Sequence, residues 1–258
     1  MGYVITVANE KGGVAKTTTA LNLASAWAMQ GMHILLIDLD PSGSLTAQVE
    51  TQTADLPLAG GWLQQEQNLI KPANRIMTNM DMIGSSRQLH TIEKQLYTPK
   101  GTKCGLLERK LRTLRNHYHY IVIDTYPMYG ALLLNALVAA DMLISPVKAD
   151  FGALQGVNSF LDAVRTVEKY REPVDFVMVP IMYSANSQCQ VQILDLLAER
   201  VLYRMSQTKI TADEVVMKAA AEGKVIVKDY PETAPAQDYQ TLAEEINEKF
   251  EQLSQVGK

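Results

Sequence analysis

The sequence has few cysteines, no excess of positive charge and no long apolar run. Its 258 residues include two cysteines, Cys104 and Cys189, whose separation matches no metal-binding spacing. Acidic residues outnumber basic ones, 28 to 24, and the net charge of −4 argues against a generally basic nucleic-acid binder, although a local basic patch remains compatible with it. No apolar run reaches the roughly 18 residues of a membrane-spanning helix. The first residues also lack the charged and apolar regions of a signal peptide, so we expect a cytoplasmic protein.

Short apolar runs alternate with helical patterns along the whole chain. Such runs are typical of parallel strands that are covered on both faces, and they predict strands at 3–8, 33–38, 120–124, 142–147 and 174–179. Helices are predicted at 17–30, 106–116, 132–139, 155–170, 190–205 and 239–253. Residues 97–103 are predicted to form a surface loop. The alternation predicts an α/β fold with a doubly wound, mostly parallel twisted sheet flanked by helices, in a single domain over residues 1–258.

A glycine-rich segment lies between the first predicted strand and the first predicted helix. It contains Lys11, two glycines, Lys16 and Thr17. Glycines allow a backbone to curl around phosphate oxygens, and the N–H groups at a helix N-terminus supply partial positive charge. A lysine at position 16 can then reach the phosphates, and the Thr17 hydroxyl can coordinate Mg²⁺. The segment therefore predicts a phosphate-binding loop, with an ordinary glycine-rich turn as the alternative.

The loop departs from the common G-x-x-x-x-G-K-[ST] pattern at both glycine positions, which are Glu10 and Ala15 here. The remaining pattern, K-G-G-x-A-K-T, resembles the deviant Walker A loop of the ParA/MinD family of P-loop ATPases. The distinguishing feature is the additional lysine, Lys11. Because alanine carries a Cβ and tolerates positive φ poorly, Ala15 is expected to fit the loop only if its φ is negative.

Further motifs follow in the order of the same family. Asp38-Leu39-Asp40-Pro41 is similar to the family's D-x-D-P segment at the end of the second strand. Asp124 ends a later strand and resembles the family's Walker B aspartate, with Tyr126 where a proline usually stands. Tyr126 is expected to pack against its neighbours, with a contact at the site as the alternative. The segment 222–230 resembles the closing segment of ParA proteins, so the resemblance covers nearly the whole chain.

The resemblance implies a dimer in which two protomers enclose two ATP·Mg²⁺. It places ATP on Lys11, Gly12, Gly13, Val14, Ala15, Lys16, Thr17 and Thr18. It implies direct Mg²⁺ coordination by Thr17 and coordination through a bound water by Asp124, with Asp38 holding the hydration shell of the ion. The catalytic residues implied are Lys16, Asp40, which would position the attacking water, and Lys11, which would contact the phosphates bound by the other subunit. Hydrolysis is expected to be slow without a partner protein.

The resemblance also implies what such an ATPase does. ParA-like ATP dimers bind DNA without sequence preference, and a cargo-bound partner, such as a ParB-like protein or a cargo adaptor, stimulates hydrolysis. We therefore expect ATP-controlled DNA binding, association with the nucleoid, and partition or positioning of a plasmid, a chromosome or a protein assembly. The family's DNA-binding arginines are missing here, and the candidates that replace them are Lys209, Lys218, Lys224 and Lys228. A second basic run at 109–115 is expected to be an ordinary solvent-facing helix side, with a further DNA-facing patch as the alternative.

Three other classes share the loop or the fold. A MinD-like, membrane-cycling ATPase would carry a basic amphipathic C-terminal helix, but here the apolar stripe of Leu242, Ile246, Phe250 and Leu253 is flanked mainly by glutamates, which favours core packing. An iron–sulfur reductase would need cluster-binding cysteines. A metabolic ligase of the dethiobiotin-synthetase type would not need Lys11. Because the chain begins directly at the first strand, an operator-reading helix-turn-helix is not expected.

Overall fold

The computed structural model describes residues 1–50, 58–64, 74–202 and 204–256. Within these residues the strands are β1 (Tyr3–Val7), β2 (Ile34–Asp38), β3 (Asn74–Met77), β4 (Met80–Ile83), β5 (Tyr97–Thr98), β6 (Gly101–Thr102), β7 (Tyr120–Asp124), β8 (Met142–Lys148) and β9 (Asp175–Ile181). Seven of them form one sheet in the order β3-β4-β2-β7-β1-β8-β9. Neighbouring strands are parallel throughout, except that β3 is antiparallel to β4. The expected doubly wound, mostly parallel α/β fold is confirmed.

Helices lie between the strands. In chain order they are α1 (Lys16–Met29), α2 (Ser44–Glu50), α3 (Ala59–Gln64), α4 (Gln88–Leu96), α5 (Leu106–Leu114), α6 (Ala131–Ala139), α7 (Ala153–Val167), α8 (Gln188–Arg200), α9 (Val215–Ala221), α10 (Ile226–Asp229) and α11 (Ala234–Val256). In the part of the chain that is described, no helix is both long enough and apolar enough to cross a bilayer.

Both faces of the sheet are covered, and β2 shows this clearly. All five of its residues are buried. Ile34 and Leu36 pack in the cluster that contains Trp27 of α1, whereas Leu35 and Ile37 pack in the cluster that contains Leu111 of α5. Successive side chains of a strand point to opposite faces, so a continuous apolar run is what a strand between two helical layers requires.

The C-terminal helix α11 contributes its apolar stripe to this core. Leu242, Ile246 and Phe250 are buried, and the Phe250 ring stacks on Tyr3 at 4.3 Å between centroids. The indole nitrogen of Trp27 donates a hydrogen bond to a carbonyl of α11, that of Ala243, at 3.1 Å. The side chain of Leu253 lies outside the described residues. The three described members of the stripe therefore pack in the core, as the sequence predicts.

Some elements differ from the expectation. The helix expected over 190–205 ends at Arg200, because the chain then passes through Leu202 with a φ of 51° and joins β9 through a bridge between Met178 and Met205. Residues 97–103 are not a simple loop: β5 and β6 pair as a short antiparallel hairpin. The strands β3 and β4 and the short helices α2, α3, α4, α9 and α10 were not expected.

The sheet brings the motif-bearing strand ends together. Asp38 at the end of β2 is in register with Asp124 at the end of β7, and Asp124 is in register with Val7 at the end of β1. In open α/β sheets, ligands bind outside the carboxyl ends of the strands. The predicted functional residues therefore meet at this edge.

Candidate active site

The glycine-rich loop joins β1 to α1 through two residues in the left-handed backbone region. Gly13 has a φ of 71° and Ala15 a φ of 53°. The expectation of a negative φ at Ala15 is wrong: a small αL region is open to L-residues, at a cost of about 1–2 kcal/mol that the surrounding structure must offset. A Cβ at Gly12 or Gly13 would meet nothing within 4 Å, so the space beside both glycines is open.

The loop is anchored to the neighbouring strand by Asn9, a residue that the motif does not include. Its buried amide group donates to the Ser145 hydroxyl at 3.2 Å and to the Pro146 carbonyl at 2.9 Å on β8. Its carbonyl oxygen accepts the Lys11 N–H at 2.9 Å. A single side chain thus connects the start of the loop to β8 and fixes where the loop leaves the sheet.

Lys16, the first residue of α1, lies inside the curl of the loop. Its ammonium group donates to the Lys11 carbonyl at 3.1 Å, and the residue is only 7% exposed. Burial lowers the pKa of Lys16, while the charges of Asp124 and Asp40 act in the opposite direction. A buried cation that is bonded to a neutral carbonyl is well suited to exchange that bond for a phosphate oxygen.

Thr17 and Asp124 meet beside Lys16. The Thr17 hydroxyl donates to Asp124 Oδ2 at 2.7 Å, and Asp124 is fully buried. The other oxygen, Oδ1, is buried without a hydrogen-bond partner. Burial, together with the nearby Asp38 charge, raises the pKa of Asp124 well above its usual range. A hydroxyl and an unpaired buried carboxylate oxygen are hard ligands that fit Mg²⁺, so these residues can hold the ion.

Asp38 is occupied by other contacts. Its Oδ1 accepts the Asp40 N–H at 3.0 Å, and its Oδ2 accepts both the N–H and the hydroxyl of Thr46, at 2.9 and 2.7 Å. Burial raises the pKa of Asp38 to about 6, against these hydrogen bonds, which lower it. Asp38 therefore holds the start of α2 against the end of β2, and its proposed role at the Mg²⁺ hydration shell stays a prediction.

Asp40 lies at the mouth of the site and is 7% exposed. Its Oδ1 accepts the Ser42 N–H at 2.7 Å, which leaves Oδ2 without a hydrogen bond to the residues described. The Asp40 carbonyl accepts the Ser85 hydroxyl, and the Ser85 N–H donates to the Thr46 hydroxyl at 2.7 Å. Ser85, which follows β4, was missed from the sequence because no motif contains it.

Lys11 does not point into its own phosphate-binding curl. Its ammonium group forms an ion pair with Asp150, in the turn between β8 and α7. The same carboxylate oxygen, Oδ1, accepts the Gly152 N–H at 3.0 Å. Lys11 therefore lies along the outer rim of the site.

The segment after Asp124 is fixed at both ends. The Thr125 hydroxyl donates to the Val7 carbonyl at 2.8 Å. At the other end, the Ala131 N–H at the start of α6 donates to the Tyr97 hydroxyl at 3.1 Å. Between these anchors Tyr126 is half-buried, and Met128 and Tyr129 are exposed. The structure therefore leaves both interpretations of Tyr126 as predictions.

A largely apolar cavity of about 480 Å³ opens next to the loop. It is lined by the ends of β8 and β9, by the segment that leads into α9 and by one residue of α11: Ala15, Lys148, Ile181, Met182, Ile210, Thr211, Ala212, Asp213, Glu214, Val216, Met217 and Tyr239. Apart from Ala15, no motif identified these residues, since the sequence does not show that the 210–217 segment returns to the loop.

The four candidate DNA-binding lysines are all exposed, but they do not form one free cluster. Lys218 and Lys224 lie 5.3 and 5.4 Å from the centre of the Tyr230 ring, and Lys224 also pairs with Glu222 at 2.8 Å. Lys209 lies 4.6 Å from the Tyr183 ring, on the side of the apolar cavity. The structure thus brings Lys218 and Lys224 to one ring, Tyr230, and Lys209 to another, Tyr183.

Comparison with known proteins identifies the family. The AAA-domain family matches residues 2–176. Sporulation initiation inhibitor protein Soj of Bacillus subtilis is 30% identical over 253 residues, which cover 95% of this chain and 98% of Soj.

Two solved structures share the fold over almost the whole chain. One is a putative plasmid partition protein of Borrelia burgdorferi bound to AMPPNP, with a TM-score of 0.77, 25% identity, and coverage of 98% of this chain and 99% of that one. The other is cobyrinic acid a,c-diamide synthase of Mycobacterium smegmatis with a bound ATP analogue and magnesium, with a TM-score of 0.78, 25% identity, and coverage of 95% and 93%. Because the family match spans most of the chain and the similarity to Soj spans nearly all of it, the chain belongs to the ParA/MinD-type ATPases.

Proposed function

We propose that this chain is a dimerising ATPase that partitions or positions a cargo by ATP-controlled, nonspecific binding to DNA, and that a cargo-bound partner stimulates its hydrolysis. The observation that carries the ATPase part is the pairing of Thr17 with Asp124, whose second oxygen is unpaired, directly beside Lys16. Family membership supports the partition role, since the Borrelia relative is a putative plasmid partition protein.

ATP would bind along the edge of the sheet. The open curl of Gly12 and Gly13, at the N-terminus of α1, suits the phosphates, which Lys16 would contact after leaving the Lys11 carbonyl. Thr17 and Asp124 would hold Mg²⁺, which neutralises phosphate charge. The neighbouring cavity, with its apolar walls, suits the base.

Hydrolysis would depend on positioning more than on covalent chemistry. Asp40, at the mouth of the site and with one oxygen bonded to Ser42, would orient the attacking water. Lys11, on the outer rim, would contact the phosphates of the partner subunit. A cation supplied in this way increases the rate by roughly 10³–10⁵, so hydrolysis would be slow in the monomer.

The same edge of the sheet presents apolar side chains to solvent. Met128 and Tyr129 follow β7, Phe151 and Leu154 follow β8, and the Phe151 side chain is fully exposed. Exposed apolar groups around a ligand site are typical of an interaction surface. They support a homodimer that closes over the nucleotide.

The candidate lysines on α9 and beside Tyr230 provide a test of DNA binding. We expect Lys218→Ala combined with Lys224→Ala to weaken ATP-dependent binding to nonspecific duplex DNA about 3- to 30-fold and to flatten its salt dependence, because each lost phosphate contact removes counterion release. Lys100→Ala combined with Lys169→Ala, two exposed lysines remote from α9, serves as the control. Electrophoretic mobility shifts with ATP and with ADP, at several salt concentrations, measure both quantities.

Several results would contradict DNA binding by this surface. One such result is equal DNA binding with ATP and with ADP. Another is an equal loss of DNA affinity in the lysine double variant and in its control. Co-sedimentation with anionic lipid vesicles in place of DNA would instead indicate the MinD-like alternative. Localisation of the wild-type chain to the nucleoid in cells, lost in the double variant, would support the proposed cellular role.

A further inference from the structure

The ion pair between Lys11 and Asp150 lies within one protomer. The two side chains are 27% and 35% exposed, so the ion pair lies at the surface and is only partly accessible to solvent. The Lys11 ammonium lowers the pKa of Asp150, mainly through their hydrogen bond. Asp150 is therefore ionised at neutral pH and presents a full charge to Lys11.

The surroundings keep both partners in place. Asp150 Oδ1 also accepts the Gly152 N–H at 3.0 Å, which fixes the carboxylate at the start of α7. The Lys11 side chain runs along two glycines of that helix end. A Cβ at Gly152 would lie 3.2 Å from the Lys11 Nζ, and a Cβ at Gly156 would lie 3.5 Å from the Lys11 Cβ. The Lys11 side chain thus packs against the backbone of two glycines, which have no side chains to push it away.

We infer that Asp150 is a positioning residue that holds Lys11 against its own protomer and competes with the nucleotide of the partner subunit for it. This inference rests on the proposed trans-acting role of Lys11. An ammonium group bound to Asp150 must leave it, at least in part, to contact a phosphate across the interface. The contact would thus form readily only when the partner's nucleotide carries enough negative charge to outcompete the carboxylate, which sets a threshold for dimerisation.

The size of the effect follows from the symmetry of the dimer. An exposed ion pair of this kind changes an equilibrium by about 1.4- to 5-fold. A symmetric dimer must release two such pairs, one from each protomer. Removing the pair should therefore tighten the dimer by about 2- to 30-fold.

The test is the dimer dissociation constant with ATP·Mg²⁺, measured by sedimentation in an Asp40→Ala background that suppresses hydrolysis. Asp150→Asn removes the charge but keeps an oxygen that can accept the Gly152 N–H. Gly152→Ala places a methyl group against the Lys11 ammonium and leaves the charge in place. We expect both variants to tighten the dimer. Asp162→Asn, which removes an exposed ion pair within α7, that with Arg165, is the control and should change nothing.

The outcomes separate the two proposals. If Asp150→Asn and Gly152→Ala dimerise no more tightly than Asp162→Asn, or more weakly, the role of Asp150 is overturned. Lys11→Ala in the same background tests the proposed function itself, because loss of the trans contact should weaken the ATP dimer. If Lys11→Ala dimerises as tightly as its parent, the trans-acting role fails and the role of Asp150 fails with it. If Lys11→Ala weakens the dimer while Asp150→Asn has no effect, only the role of Asp150 is wrong.

Discussion

At the scale of single residues, the pair of buried carboxylates Asp38 and Asp124 dominates the chemistry of the site. They lie in register on adjacent strands, and both are fully buried. Burial raises the pKa of each, and the charge of Asp38 raises that of Asp124 further. Without a bound cation, ionisation of this pair therefore places negative charge where it is poorly solvated, a cost that Mg²⁺ would relieve.

Asp124→Asn should stabilise the nucleotide-free protein while removing Mg²⁺-dependent hydrolysis. The substitution removes a carboxyl whose ionised form is disfavoured by burial but keeps an acceptor for the Thr17 hydroxyl, so the free energy of unfolding should rise on the order of 1–4 kcal/mol at a pH high enough to ionise the wild-type carboxyl. Denaturant unfolding in the presence of a chelator measures it. A variant that is less stable than the wild type under these conditions would show that the buried charge is already compensated.

The pH dependence of stability has a defined sign. The folded-state pKa of Asp38, about 6, lies above the unfolded value, so its contribution to stability is complete below about pH 4 and is lost as the pH rises through 6. The wild type should therefore lose stability over this range. Asp124→Asn should lose less, because the Asp124 carboxyl, whose own pKa is raised by burial and whose contribution is lost in the same direction, is gone. Comparing the two proteins across the same pH range separates this effect from general acid denaturation.

The residues of the site divide into those that a motif contains and those that it does not. The loop and the two strand-end aspartates lie within contiguous segments of the sequence, so Lys16, Thr17 and Asp124 could be expected to meet. Asn9, Ser85 and Asp150 lie outside the motifs, and each contacts residues that are distant in the sequence. No local sequence pattern therefore indicates that they belong to the site. The φ of Ala15 was expected wrongly because the loop, held by its neighbours, tolerates a conformation that alanine alone disfavours.

At the scale of elements, α6 begins where the segment after Asp124 ends. The N–H groups of its first turn donate hydrogen bonds to side chains of other elements. Tyr97, on the β5–β6 hairpin, accepts the Ala131 N–H, and Glu93 of α4 accepts the Leu132 N–H at 3.4 Å. A Cβ at Gly130 would come within 2.2 Å of Glu93 Oε1, so a side chain there would displace the Glu93 carboxylate from the Leu132 N–H. The α4–hairpin unit thus fixes one end of the segment that starts at the site.

Tyr97→Phe should lower the free energy of unfolding by about 0.5–2 kcal/mol. The substitution removes only the hydroxyl, and the N–H of Ala131, a fully buried residue, then loses its acceptor. Tyr129→Phe, on the exposed part of the segment, is the control. Equal stability of the two variants in denaturant unfolding would mean that the Tyr97 hydroxyl does not cap α6.

The sequence predicts the long elements well and the short ones poorly. Five strands lie within two residues of the expected positions, because buried parallel strands are continuous apolar runs with clear limits. The strand β3 is an edge strand with a register shift, and the helices α9 and α10 are only two turns and one turn long. None of these three elements is long or regular enough to show a hydrophobic periodicity in the sequence. The hairpin of β5 and β6 has two residues in each strand, fewer than any alternation can show.

At the scale of the whole molecule, the net charge of −4 confines DNA binding to a local surface. Even the segment 208–228 alternates four lysines with Asp213, Glu214 and Glu222, so its own charge is close to neutral. One protomer therefore offers few phosphate contacts. A dimer presents the surface twice, which would tie DNA binding to nucleotide-driven dimerisation.

The exposed apolar groups at the nucleotide edge lead to the same expectation for the assembly. Phe151 and Leu154 follow the turn that carries Asp150, and Met128 and Tyr129 follow the strand that carries Asp124. Contacts of a second copy with these groups would be completed only when ATP bridges the two Lys11 positions. The central claim is thus that ATP converts a monomer into a dimer in which each subunit completes the other's site.

The most direct test is the mass in solution of Asp40→Ala with ATP·Mg²⁺, measured by size-exclusion chromatography with light scattering. Because Asp40 would position the attacking water, the variant should bind ATP without hydrolysing it and elute at twice the mass of the chain. Lys16→Ala, which should not bind nucleotide, serves as the control and should elute at the mass of one chain. A monomeric Asp40→Ala variant, under conditions in which it is shown to bind ATP, would contradict the claim.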